Sequence, residues 1–488
     1  STAAEALGRL AQAKEDAQKA IEYGPKNSGS ENSRDLMADA YSTAITSAYT
    51  AGDPIAGIEY SKQYLHVLKD APYNGGFVLS GNRFLMGGYL MLGDTNDASI
   101  ALAGLERGYA ETRSYRKGYA EFGDNWTQNY RMGKGFYFLG VGKAVEAEFE
   151  FLRAKEANDT LRDRESRGDF KFSNRRTFNA SSIASIRDTI LRSLGRSTLE
   201  QGKSAQAEYW YREALKVDLE EQGRGSPKVS FALSGLSRAV AEQGRLDESV
   251  QLSKASLQSM KESGAAESSL NMIEARRAYA DALSTNGSYK LALEQYALVR
   301  HGLMQNPELQ NRLRKKGNFE EQVALLETGQ NGEAENQARS MVDDLVKLLG
   351  ENHPRVAMAQ AFYGAALDRS GKYSEALQRF SKSIPVLIGQ AQQSSEAGAQ
   401  GIRQQKRLSI VVECYIDALF KSSSANKDNQ GLAFQLSDIA KGSNVQKAMT
   451  QSTARSSIKD PALAELARKE QDAQRQIQSL SELQASLA

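Results

Sequence analysis

The sequence predicts an all-α fold: an αα superhelix, a solenoid of stacked helix pairs. Three observations carry that expectation. A glycine-anchored pattern returns eight times along the 488 residues. Only eight prolines occur, so long helices meet few obligatory breaks. Apolar and small residues also recur at three- and four-residue spacing beside each anchoring glycine, as amphipathic helices require.

The anchors are Gly52, Gly93, Gly142, Gly202, Gly244, Gly287, Gly329 and Gly371, spaced 41, 49, 60, 42, 43, 42 and 42 residues apart. Five residues after them stand Gly57, Ala98, Ala147, Ala207, Ser249, Ala292, Ala334 and Ala376, all small. Seven residues before them stand Ile45, Met86, Gly135, Gly195, Ser237, Ala280, Gln322 and Gly364, five of which are small. A near-constant period of this size indicates a stacked array whose units bury apolar faces against their neighbours. Each unit reads as a helix running up to the glycine, a C-terminal turn in which that glycine takes positive φ, and a second helix. Small residues let the two backbones approach closely. An aromatic nine positions after the glycine, such as Phe151, Tyr211, Tyr296 or Phe380, fills the seam.

Leu194-Gly195, Gly371-Lys-Tyr373 and Gly287-Ser-Tyr289 resemble the tetratricopeptide repeat (TPR). The period of about 42 exceeds the usual ~34 residues and is similar to the longer variety of kinesin light chains and bacterial arrays. That variety often carries a Gly-x-x-His-Pro junction, and Gly350-Glu-Asn-His-Pro354 matches it. Ser226-Pro227 stands in the same register, both prolines lying 17 residues before a turn glycine, where proline suits the first helical turn. The resemblance covers residues 35–385 as about eight repeats. Residues 1–34 read as an N-terminal capping helix. The long interval holds a charged insertion, residues 158–181, expected as a solvated loop. Two departures stand out: Gln322 in a small column of a repeat without the aromatic, and the bulky Ile45 and Met86, which predict looser packing in the first two pairs.

After Ser383 the rhythm fades into a C-terminal helical segment, residues 386–488. It reads as an apolar helix over 407–421, a loop over 422–431, a helix over 432–440, and a long helix opened by Asp460-Pro461. Ala433-Phe-Gln-Leu-Ser-Asp-Ile-Ala through Ala448, with Asp460 to Leu483, is similar to the stretch before the protease in bacterial CHAT-domain proteins, which are caspase-like cysteine peptidases. The resemblance implies a regulatory, partner-sensing region. Its last helix, 460–486, would be a connector to a CHAT protease domain in cis whose His/Cys dyad lies beyond residue 488.

The chain itself holds little catalytic material. Its one cysteine, Cys414, sits in an apolar helical run and reads as a buried small hydrophobe. His66, His301 and His353 are far apart in sequence and suit packing or surface positions. No Gly-x-x-x-x-Gly-Lys-Ser/Thr phosphate loop occurs. No enzyme, cofactor or metal site is expected. With 62 basic and 60 acidic residues there is no whole-chain field for nucleic acid, and no run of 18 apolar residues predicts a membrane span. The start shows no basic segment followed by an apolar core, so the expectation is cytoplasmic; the missing initiator Met leaves a removed signal peptide open.

Binding is the remaining class. Ten residues before turn glycines stand Arg83, Arg192 and Arg277; six before stand Arg196 and Arg238. On the first helix of each pair these positions would face the concave groove. A stripe of guanidinium groups there would suit an acidic protein or peptide partner, since guanidinium binds oxyanions bidentately. Against it, Glu274 and Asp281 share a helix with Arg277 and would neutralise it. A scaffold or cargo adaptor without an enzymatic neighbour is the alternative reading, and the 158–181 insertion is a second candidate surface.

Overall fold

The computed structural model describes residues 15, 18–19, 21–22, 31–71, 74–170, 180–307, 309–310, 318–396, 401–422 and 427–441. Most of the N-terminal cap and the 460–486 connector lie outside these residues. The described residues form an all-α solenoid of eight helix pairs and two further helices, the arrangement of a TPR fold. The pairs are α1 Glu31–Thr50 with α2 Pro54–Leu68, α3 Gly75–Met91 with α4 Thr95–Ser114, and α5 Arg116–Gly140 with α6 Ala144–Ser166. Next come α7 Ala180–Glu200 with α8 Ser204–Gln222, α9 Pro227–Ala241 with α10 Leu246–Glu262, and α11 Leu270–Thr285 with α12 Tyr289–Met304. The last pairs are α13 Phe319–Glu327 with α14 Asn331–Leu349 and α15 Pro354–Arg369 with α16 Tyr373–Glu396, followed by α17 Ile402–Lys421 and α18 Lys427–Lys441.

All eight anchoring glycines sit between the helices of a pair with φ between 73° and 87°, a region where a Cβ is strained. The small column five residues later is buried at every position. The other column shows why glycine recurs: a Cβ on Gly135, Gly195 or Gly364 would lie 2.5, 2.9 or 2.9 Å from the ring of Phe151, Tyr211 or Phe380. The aromatic therefore lies directly on the backbone of the partner helix. The junctions are capped as their register predicts. Nδ1 of His353 accepts from Arg355 N at 3.1 Å before Pro354, and Ser226 Oγ accepts from Lys228 N at 3.2 Å before Pro227.

The fifth pair solves the seam differently. It has Ser253 where four of the other pairs have an aromatic, and serines line α9 and α10. Ser237 Oγ donates to Ser249 O at 2.9 Å, Ser256 Oγ to Ser230 O at 2.8 Å, and Ser259 Oγ to Ser226 O at 2.9 Å. Each buried hydroxyl is satisfied, which burial demands.

Three expectations are corrected. The 158–181 insertion is not a loop at its start: α6 runs on to Ser166, with Asn158 and Leu161 fully buried. Asn158 Nδ2 donates to Gln128 Oε1 and Ile183 O, both at 3.1 Å. Arg164 reaches Asp124 at 2.8 Å. The charges mark a helix with partners on the unusually long α5 rather than a solvated stretch; residues 171–179 lie outside the described residues. The second pair is not loosely packed. Gly75 and Gly108 bring α3 and α4 so close that a Cβ on Gly108 would meet Leu79 N at 2.5 Å, compensating for Met86. Finally, residues 427–431, expected in a loop, already belong to α18.

By contact density the chain divides into two units. One comprises residues 1–239, 248–279 and 297–313. There the start of α11 returns to the first turn: Leu270 N donates to Gly52 O at 3.1 Å and Asn271 Nδ2 to Thr50 O at 2.7 Å. These bonds satisfy carbonyls that the end of α1 leaves open. Ile58, Leu92, Leu270, Ile273, Val299 and Leu309 share one apolar cluster beside them. The other unit comprises residues 240–247, 280–296 and 314–488. Its core joins α13–α18 around Phe319, Phe362, Phe380, Val411 and Tyr415.

Candidate partner-binding site

The arginine stripe divides once its surroundings are seen. On α7, Asp188 is fully buried, and Arg192 one turn later holds it with two hydrogen bonds, Nε–Oδ1 at 2.6 Å and Nη2–Oδ2 at 2.8 Å. The guanidinium also lies over the Phe231 ring at 5.3 Å. Burial alone would lower the Arg192 pKa; Asp188, and behind it Asp218, raise it well above the ordinary value. Asp218 on α8 is itself buried, and its pKa is pushed up to about 8 by burial and by the Asp188 charge. Arg192 is therefore the counter-ion of a buried carboxyl pair, with Lys228 Nζ donating nearby to Ser185 Oγ at 2.6 Å.

Arg196, one turn further along α7, is exposed and makes no ion pair among the described residues. Arg238 on α9 is 40 % exposed and meets Glu200 only at 3.7 Å. Between them lies Tyr211, 4 % exposed, its ring wedged against Gly195 and Gly235. Burial raises the Tyr211 pKa, and the guanidinium groups of Arg238, Arg196 and Arg192 all oppose that rise, with Glu200 acting the other way. Arg196 and Arg238 thus form a two-pronged cationic patch over a tyrosine, presented by the first helices of adjacent pairs. Two such forks near one another can grip carboxylates.

The other two predicted residues are not part of this patch. Arg277 on α11 is bound to Glu274 at 3.1 Å, as the neutralising alternative held. Arg83 on α3 lies with its guanidinium carbon 4.4 Å from the Phe84 ring centre. Its Nε is buried without a partner, and burial pushes its pKa down to about 10. Position in the repeat places an arginine on the first helix of a pair, but the carboxylates around it decide whether it is available.

A second charged cluster escaped sequence reasoning. In the unit holding α13–α18, Arg403, Lys406 and Arg407 on the first turns of α17 meet Glu242, Glu320 and the end of α11. The basic residues are visible in the sequence at a one-turn spacing, but their acidic partners lie 161 and 87 positions away.

The chemistry of the thiol is closed. Cys414 is 1 % exposed, as a buried hydrophobe should be, and burial pushes its pKa up to about 12 despite Arg369 nearby. Among the described residues no group of three or more His, Cys, Asp or Glu is placed to hold a metal ion, and no helix is long and apolar enough to cross a membrane.

Residues 187–262, the segment containing Arg192, Arg196 and Arg238, match the tetratricopeptide repeat family. No curated protein matches the chain. Among solved structures, the crystal structure of yeast Tom70 is similar at 12% identity over 94% of this chain and 99% of that one, with a TM-score of 0.28. The TPR domain of P58(IPK) is similar at 12% identity over 83% and 99%, with a TM-score of 0.20. At those TM-scores neither superposition carries an argument about this chain.

Proposed function

We propose that this chain is a protein-binding scaffold of the tetratricopeptide type, whose α7 and α9 hold an acidic segment of a partner protein. One observation carries the reading: Arg196, exposed and without an ion pair among the described residues, stands with the weakly paired Arg238 around Tyr211. Exposed guanidinium groups lose little hydration until an oxyanion arrives, and an extended acidic peptide can satisfy both with charge-assisted hydrogen bonds. The buried Tyr211 ring fixes the floor between them. The peptidase neighbour implied by the resemblance of residues 433–448 and 460–483 has no support among the described residues or the comparisons, and the scaffold reading stands without it.

The test is a peptide array of twelve-residue sequences graded in Asp and Glu content, probed with the full chain and with its R196E/R238E variant. The wild-type chain should retain the acidic peptides, with affinity falling as salt rises. The variant should lose them at unchanged helicity. Retention independent of acid content, or equal retention by the variant, would sink the reading. Arg192 is left intact because removing it would strand Asp188 without its counter-ion.

A further inference from the structure

The chain carries a second charged surface of opposite sign, and its own α17 occupies it. Glu242, at the end of α9, lies against the start of α17: its carboxylate accepts from Arg403 Nε at 2.6 Å and Arg403 N at 3.4 Å. The N-cap residue of α17 is Gly401, which offers no side chain, so Glu242 supplies the negative charge that a helix start favours. The fit is close: a Cβ on Gly401 would fall 2.1 Å from Glu242 Oε2. One turn on, Arg407 is hydrogen-bonded to Glu320 of α13, and Arg403 Nη1 lies 3.7 Å from the same oxygen. Lys406 donates to Thr285 O at 2.8 Å and Ser284 O at 3.4 Å, the last carbonyls of α11, where a helix C-terminus attracts a cation. Burial alone would raise the Glu320 pKa; Arg407 and Arg403 outweigh it and hold it at about 2.

These contacts belong to only half of α17. From Leu408 onward the helix is held by apolar packing, with Leu408, Val411, Val412 and Leu419 buried and Tyr415 stacked on Phe380 at 5.1 Å. Packing of that kind would have anchored the first half as well, because a buried ion pair confers little net stability over an apolar one. An ionic grip at positions i, i+3 and i+4 instead reads a specific charge pattern.

We infer that Glu242, Glu320 and the α11 C-terminus form a docking site for a basic helical segment of a partner protein, with cations spaced as Arg-x-x-Lys-Arg. The first turns of α17 occupy that site in cis as a built-in competitor. The inference uses none of the residues of the acidic-partner patch, so either can fail alone. A cis segment tethered this closely acts at millimolar effective concentration, so an incoming segment must outcompete it or arrive when it is withdrawn.

The test uses the full chain and a fluorescent peptide copying residues 401–412, Gly-Ile-Arg-Gln-Gln-Lys-Arg-Leu-Ser-Ile-Val-Val. The R403A/K406A/R407A variant should bind this peptide at least tenfold more tightly than the wild-type chain, and adding E320Q should remove the gain. Should the triple variant not fold, the single R407A variant, which removes the Glu320 contact alone, should raise peptide binding by a smaller factor that E320Q again abolishes. Equal binding by wild-type and opened chains, or a gain indifferent to E320Q, would overturn the proposal. So would a wild-type dimer that the triple substitution abolishes, because the occupant would then be a second copy of this chain.

Discussion

Arg192 and Arg196 stand one turn apart on α7; Arg403 and Arg407 stand one turn apart on α17. On α7 the first is locked to the buried Asp188 while the second faces water. On α17 both are consumed, one by Glu242 and the other by Glu320. The spacing is the same and the outcome opposite, because helical periodicity decides only which side chains share a face. Whether a cation is then part of the framework or available to a partner depends on the carboxylate that folding brings across from it. In the α7–α9 region the carboxylate sits beneath one arginine and leaves the next alone. In the α17 region it sits beneath both, and the surface is filled.

The contrast on α7 breaks most visibly at Arg192. Replacing it with Met strands Asp188 beside Asp218, both fully buried. Removing one partner of a buried pair typically costs about 3–5 kcal/mol, so R192M should lower the urea midpoint by a corresponding amount. R196M, four residues on, should leave it unchanged. Equal effects at the two positions would erase the distinction between framework and available cation.

The next effect in size concerns the floor beneath the available pair. A Cβ on Gly235 would lie 2.1 Å from Tyr211 Cε1, a contact in which the ring or the helix must move. Overpacking of this kind costs roughly 1–3 kcal/mol, and G235A should also displace Tyr211 and weaken retention of acidic peptides. G287A strains only a turn at φ 87°, where nothing lies within reach of an added Cβ. It should destabilise without touching peptide retention.

The buried carboxyl pair predicts a pH dependence of definite sign. Burial and the Asp188 charge raise Asp218 from 3.8 to about 8 in the folded chain. Between those values the folded state binds one proton that the unfolded state lacks. Stability therefore falls as pH rises from about 4 to 8, by at most ~1.4 kcal/mol per pH unit, and levels off above 8. Unfolding midpoints of D218N measured over that range should lack this fall. A wild-type midpoint that rises with pH while D218N stays flat would contradict the pairing.

How much of this was readable beforehand follows the same division. The turn glycines and the small column were legible because each answers a local demand, positive φ or close backbone approach, that few residues meet. The aromatic seam was legible for the same reason, through Gly135, Gly195 and Gly364 opposite Phe151, Tyr211 and Phe380. The 158–181 segment was not: its charges read as solvation, whereas Arg164 is bound to Asp124, 40 positions earlier. The stripe was half legible. Register placed Arg196 and Arg238 on the first helices of adjacent pairs and offered Glu274 as a partner for Arg277, but only the fold revealed that Arg192 is held by the buried Asp188 and that Arg83 is turned onto Phe84. The basic start of α17 was overlooked because its meaning lies in Glu242 and Glu320, which no local pattern connects to it.

The smallest change in stability carries the sharpest functional consequence. Arg196 has no ion pair to lose among the described residues, and the Arg238–Glu200 pair is long and well exposed at 3.7 Å, a type that contributes about 0–1 kcal/mol. The R196E/R238E variant should therefore unfold within about 0.5 kcal/mol of the wild-type chain, as surface substitutions do, while losing its acidic peptides. Charge reversal brings two carboxylates beside Glu200, so repulsion adds to the loss of the two forks, and the defect should shrink as salt screens it. R196K/R238K separates charge from shape. Lysine keeps the charge but not the planar fork, so retention intermediate between wild type and the Glu variant means bidentate recognition, whereas full retention means that field alone attracts the partner. Measured beside R192M, which should unfold readily yet keeps both prongs, this variant completes the comparison between an arginine on α7 that holds the repeat together and the next, which we propose reads a partner.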